Sequence, residues 1–165
     1  MNVADFLAAM STVEADHRFV FEKVCALKDA VSCLMGMGDK PARAVFGQLR
    51  QLLEFFADEF GAHAAEEEQT LFPLIEEQLP DGAQVVARLR QDHETIRCKR
   101  QEFADCLEVA SELEDDVPDA VLADLLAYGW ELWELLDTHA HTETKALREA
   151  AAHYLRTSMD SMILA

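Results

Sequence analysis

Residues 49–73 read LRQLLEFFADEFGAHAAEEEQTLFP. Leu49, Leu53, Phe56, Phe60, His63 and Glu67 step along this stretch by alternating four and three. That spacing keeps one face of an α-helix in line, as in the buried seam of a helical bundle. The last two seam positions are a histidine and a glutamate, where a bundle normally places apolar groups. Pro73 has no amide hydrogen and its ring collides with the preceding turn, so this helix is expected to end or kink near Phe72.

The same stepping recurs three times. One seam is Phe6, Met10, Val13, His17, Val20, Val24, Leu27, Val31 and Leu34. Another is Val86, Leu89, His93, Ile96, Arg100, Phe103 and Leu107. The last is Leu125, Gly129, Leu132, Leu136, His139, Glu143, Ala146 and Ala150. Between them, Met35–Pro41, Leu79–Gly82 and Glu114–Asp119 carry the turn-forming residues. Pro41 and Pro118 suit helix starts, where a missing N–H costs little, and Asp39, Asp81 and Asp116 are placed to cap them. Only 6 glycines and 4 prolines occur in 165 residues, so turns are few and elements long. The expected fold is all-α: an up-down-up-down antiparallel four-helix bundle. It forms one domain over residues 1–165, with the bundle over roughly 5–155 and a short C-terminal tail.

Composition narrows the function classes. Lys and Arg total 14 against 32 Asp and Glu, a net charge of −18. The negative field disfavours nucleic acid and anionic membranes as partners. Apolar residues make up 50% of the chain, which excludes a disordered acidic tail. No run approaches the ~18 apolar residues of a spanning helix, and Met1–Asp5 has no signal-peptide character. The four cysteines, Cys25, Cys33, Cys98 and Cys106, form no CxxC motif. They are expected to be reduced thiols in core or flank positions of a cytoplasmic protein.

Six seam positions hold polar groups: His17, His63, Glu67, His93, His139 and Glu143. In an antiparallel hairpin, residues equidistant from the loop centre lie at the same level. His17 and His63 are centred on Lys40, Glu67 and His93 on Pro80, and His93 and His139 on Asp116, all inside the expected loops. Every helix therefore brings a histidine to one depth. The second and fourth add a glutamate one turn on, which faces the same point. Buried polar groups are costly unless they are satisfied. Four imidazoles and two carboxylates converging in an apolar bundle form a dinuclear metal set, and that mixture suits iron or manganese. Two histidines per ion and two bridging glutamates give each ion four protein ligands. An oxo or hydroxo bridge makes five and leaves one position open to a small ligand.

At these residues the chain resembles the hemerythrin-like, or HHE cation-binding, family. The resemblance lies in Asp16-His17-Arg18, in the string from His63 to Pro73, in Asp92-His93-Glu94, and in His139 with Glu143. It implies a bundle carrying a non-haem diiron centre, in proteins that bind oxygen, sense oxygen, nitric oxide or iron, or repair damaged iron centres. Oxygen-carrying hemerythrins place two histidines four apart on the third helix and use HxxxxD on the fourth. Here the corresponding positions hold Leu89, Arg97 and Thr144, so the expected set is four histidines and two glutamates. The leading expectation is binding or sensing of dioxygen or nitric oxide at an open iron position. The alternatives are redox turnover of peroxide or nitric oxide, iron donation in repair, and iron storage. No catalytic acid, base or nucleophile stands beside the set. A ferritin-like site needs ExxH on two helices, and Glu14–His17 is the only ExxH.

Other polar residues have plainer expected roles. His141 and His153 are surface histidines, and Glu66 could be an alternative ligand or support the set from outside, though the seam prefers Glu67. Arg100 snorkels from its seam slot, and the rest of the Glu66–Glu68 run is a solvated face. Phe55, Phe56, Phe60, Trp130 and Trp133 pack the core or flank and could shield the metals.

Overall fold

The seams become helices. In the computed structural model, residues 3–36, 42–113 and 117–163 are described, with side chains over 15–36, 43–113 and 117–158. The elements are α1 (Val3–Met35), α2 (Ala42–Thr70), α3 (Phe72–Gln78), α4 (Gly82–Glu112) and α5 (Asp119–Ile163). No strand occurs among the described residues. The pairs α1–α2, α2–α4, α4–α5 and α5–α1 pack together, while the diagonals α1–α4 and α2–α5 do not approach closely. That ring is the up-down-up-down bundle, with the second arm broken into α2 and α3. Among the described residues no helix is long and apolar enough to cross a membrane.

The break falls at Leu71, with Pro73 in the first turn of α3. Leu71 keeps helical angles, so the arm kinks rather than turns away. The Leu71 amide still donates to the Glu67 carbonyl at 2.9 Å, and the Ile75 amide to Leu71 at 3.1 Å. Asp81 stands at the start of α4 without a side-chain cap, and its carbonyl accepts from the Gln84 and Val85 amides. Pro118 lies one residue ahead of α5 and its carbonyl accepts from Leu122. Pro41, Asp39 and Asp116 lie outside the described residues, as do the side chains of Phe6, Met10 and Val13.

Every other seam residue is buried except His17, His63 and Arg100, which are half-buried. The core divides in two. A long cluster runs from Val20, Phe60 and Leu136 to Leu34, Leu107 and Leu125. A shorter one joins Leu71, Phe72, Ile75, Val86, Leu89 and the Ala146–Ala150 turn. Between them lie the buried polar side chains Glu67, His93, His139 and Glu143. The cysteines divide: Cys25, Cys33 and Cys98 are exposed, Cys106 is half-buried against the long core cluster, and all are free. Cys106 thus takes a flank position as expected, whereas Cys25, Cys33 and Cys98 lie on outer helix faces rather than in the core or on its flank.

Gly82 opens α4 against the end of α3. A Cβ there would lie 2.2 Å from the Ile75 carbonyl oxygen and 2.7 Å from Glu76 Cα. These are backbone atoms that cannot rotate aside. Gly82→Ala is expected to destabilise the fold by about 2 kcal/mol or more. For a chain of this size that is about 4–8 °C in Tm, measurable by circular dichroism at fixed metal content. An unchanged Tm would show that the α3–α4 corner yields freely.

Candidate metal centre

The helical spacing carries the expected side chains into one layer. His63 Nε2 lies 2.6 Å from Glu67 Oε1, one turn along α2. His17 Nε2 reaches the same oxygen from α1 at 3.1 Å. His93 Nε2, from α4, is 3.5 Å from the other oxygen, Glu67 Oε2. On α5, His139 Nε2 is 3.8 Å from Glu143 Oε2, and His17 Nε2 approaches that oxygen at 3.5 Å. The histidines thus pair across the layer. The His17 and His63 rings are 5.4 Å apart, and the His93 and His139 rings 4.7 Å. Glu67 turns one oxygen to each pair. Among the described residues, two sets have donor atoms close enough to share an ion: His17, His63 and Glu67, and Glu67, His93 and His139. Glu67 belongs to both, whereas Glu143 falls outside both and faces one histidine of each pair.

The electrostatics of the layer depend on what fills it. Burial pushes Glu67 up, but the His17, His63 and His93 imidazoles set against its oxygens and the His63 charge outweigh it, holding this carboxyl far below the usual range. Burial pushes Glu143 well above its ordinary value, and the adjacent Glu67 acts in the same direction. Without a cation the two carboxylates cannot both stay ionised at this depth. Burial lowers His93, but Glu67 and Glu68 more than reverse it, so its net shift is upward.

Among the described residues, three buried side-chain atoms lack hydrogen-bond partners: Glu67 Oε2, His139 Nδ1 and Glu143 Oε1. The histidines explain one of them. His93 Nε2 and His139 Nε2 face each other at 3.2 Å. Whichever ring supplies the hydrogen, His139 Nδ1 remains unpartnered, with Asp92 Oδ2 at 3.8 Å. A cation accepting both Nε2 lone pairs would free His139 to carry its hydrogen on Nδ1, toward Asp92. The donor set, the orphaned atoms and the facing imidazoles all fit a bound cation. Among the described residues the lining also suits one. Phe60 packs against the His63, His93 and His139 rings at 6.1–6.3 Å. Phe72 stacks on His93 at 5.6 Å.

A family model described as the hemerythrin HHE cation-binding domain matches residues 8–154. The chain belongs to the hemerythrin HHE cation-binding family. Neither a search of curated proteins nor a search of solved structures returned a match. For a hemerythrin HHE domain the two halves of this layer are unequally accessible. His17 and His63 side chains are 16% and 17% exposed, against 1% and 3% for His93 and His139. A cleft of about 910 Å³ between α1 and α5 reaches His17, His63, His139 and Glu143.

The remaining expectations sort cleanly. His141 is exposed and sits on the Asp137 carbonyl. His153 is half-buried, with Nδ1 3.1 Å from Gln78 Oε1, so it is tied to the end of α3 rather than free at the surface. Glu66 is exposed, and its backbone carbonyl accepts from Thr70. Arg100 snorkels outward and donates to Gln101 at 2.7 Å. Trp130 and Trp133 pack on each other at 5.5 Å, beside the long core. Glu68 is the correction: it is no solvated bystander, because its Oε1 lies 2.9 Å from His93 Nδ1. The level rule gives only part of this: Glu68 and Arg90 are equidistant from Leu79 in the second loop and so lie side by side, but the rule does not turn Glu68 toward His93.

Proposed function

We propose that the chain is a cytoplasmic non-haem diiron protein that binds or senses a small molecule, dioxygen or nitric oxide, at an open iron position. The observation that carries this reading is the pairing of histidines about Glu67, with a cleft that reaches both His17 and His63 and, from the other pair, His139. When bound, two iron ions supply an exchangeable coordination position and one-electron redox chemistry. The chain's own residues do the rest. His17 and His63 would hold one ion and His93 and His139 the other, with Glu67 and Glu143 between the two. Phe72, stacked on His93, covers that ring, while the cleft lined by Phe60, His17, His63 and His139 gives a diatomic ligand access to the layer.

The test is iron loading followed by ligand addition. Protein reconstituted anaerobically with ferrous iron is expected to hold close to two ions per chain. Its optical spectrum should then change reversibly with dioxygen or nitric oxide. A chain that takes up zinc but no iron overturns the diiron reading. Multiple turnover of peroxide or nitric oxide would replace the binding reading with an enzymatic one.

A further inference from the structure

His93 is held from its far side. Its Nδ1 donates to Glu68 Oε1 at 2.9 Å, while its Nε2 points into the polar layer. Glu68 does not reach into that layer; it stands on α2, one residue past Glu67, and leans toward α4. Its other oxygen, Oε2, lies 3.6 Å from Arg90 Nε, one turn before His93 on α4. Arg90 also approaches Glu76 on α3 at 3.7 Å and lies over the Phe72 ring at 5.7 Å. Phe72 in turn stacks on His93 with only 17° between the planes. The imidazole is therefore clamped at its edge by Glu68 and on its face by Phe72, and Arg90 touches both clamps.

No comparable carboxylate among the described residues lies within hydrogen-bond distance of Nδ1 of His17, His63 or His139. Asp92 is the nearest case, at 3.8 Å from His139. A hydrogen bond at Nδ1 fixes which nitrogen carries the hydrogen, orients the ring, and makes the opposite nitrogen a better donor to a cation. We propose that Glu68, anchored by Arg90, is a positioning residue that fixes His93 for cation binding and makes the Glu67–His93–His139 half the tighter of the two. This rests on the metal reading above.

Cobalt(II) titration of the full-length protein tests it, because cobalt reports both affinity and histidine N–H signals. Wild type is expected to take up two ions in unequal steps. Glu68→Ala should weaken the tighter step by about 10–100-fold, as losing an outer-shell partner of a ligating histidine does. The paramagnetically shifted Nδ1–H signal of His93 should then exchange faster with water. Glu68→Gln, which keeps an acceptor at the same reach, should restore most of the affinity. Metal-free Glu68→Ala should still fold, unfolding a few degrees below metal-free wild type because His93 Nδ1 loses its acceptor, which separates positioning from loss of the fold. Wild type that takes up no cobalt overturns the metal reading and this proposal with it. Wild type that takes up two, with Glu68→Ala binding both equally tightly, overturns this proposal alone. So does an affinity loss that Glu68→Gln fails to recover.

Discussion

Glu67→Ala is expected to empty both halves of the layer at once. The reason is geometric. Oε1 serves His17 and His63 at 3.1 and 2.6 Å, and Oε2 faces His93 at 3.5 Å. Removing the side chain takes a charged oxygen donor from each three-residue set. It leaves one candidate carboxylate, Glu143, which belongs to neither set. The loss should exceed the ~10–100-fold that removing an outer-shell partner costs. Glu143→Ala should also lose metal, but less, because only its Oε2 approaches the histidines, at 3.5 and 3.8 Å. Glu66→Ala is the control, since Glu66 is exposed and only its backbone carbonyl is engaged, by Thr70. Iron per chain after gel filtration, measured by atomic emission, separates the three. Equal loss from Glu66→Ala and Glu67→Ala would mean that α2 is turned by a residue from the orientation described here.

That choice between neighbouring glutamates was legible in the sequence, because burial follows the seam. Glu67 continues the series Leu53, Phe56, Phe60, His63, and it is 2% exposed. The common depth of the four histidines was legible too, since an antiparallel hairpin converts loop position into level. The kink at Pro73 followed from ring sterics. Side-chain roles on the flanks of the seams were not legible. Whether Glu68 faces water or His93 depends on how far α4 leans toward α2, and periodicity carries no crossing angle. The exposure difference between His17 and His93 is similar: both occupy equivalent seam slots, and only the cleft between α1 and α5 distinguishes them. Cys25, Cys33 and Cys98 show the converse limit. Composition placed them as small residues fit for core or flank, but their helix phase sets them outward.

Removing the metal should lower the unfolding temperature sharply, and the cause is the polar layer itself. The described core is cut by Glu67, His93, His139 and Glu143, each no more than 3% exposed. Buried charges cost several kcal/mol unless they are paired and hydrogen-bonded, and three of these atoms have no partner. A cation answers that cost in the folded state only. One ion present at about 1,000 times its Kd adds about 4 kcal/mol. For a chain of this length that is about 8–16 °C in Tm. Calorimetry with and without a chelator checks the shift, and an unchanged Tm would mean that the layer gains nothing from a cation. The converse is as informative. Replacing the four residues together, as Glu67→Met, His93→Leu, His139→Leu and Glu143→Met, joins the two apolar clusters into one. Exchanging a buried ionic set for packed apolar groups is often neutral or stabilising by about 1–4 kcal/mol. The combined variant should therefore unfold at or above the temperature of metal-free wild type and ignore chelators. If it unfolds lower, the imidazole–carboxylate contacts stabilise the bundle without a cation. If it unfolds at or above that temperature, the layer is a stability cost that only a bound ion offsets, as a site kept for function would be.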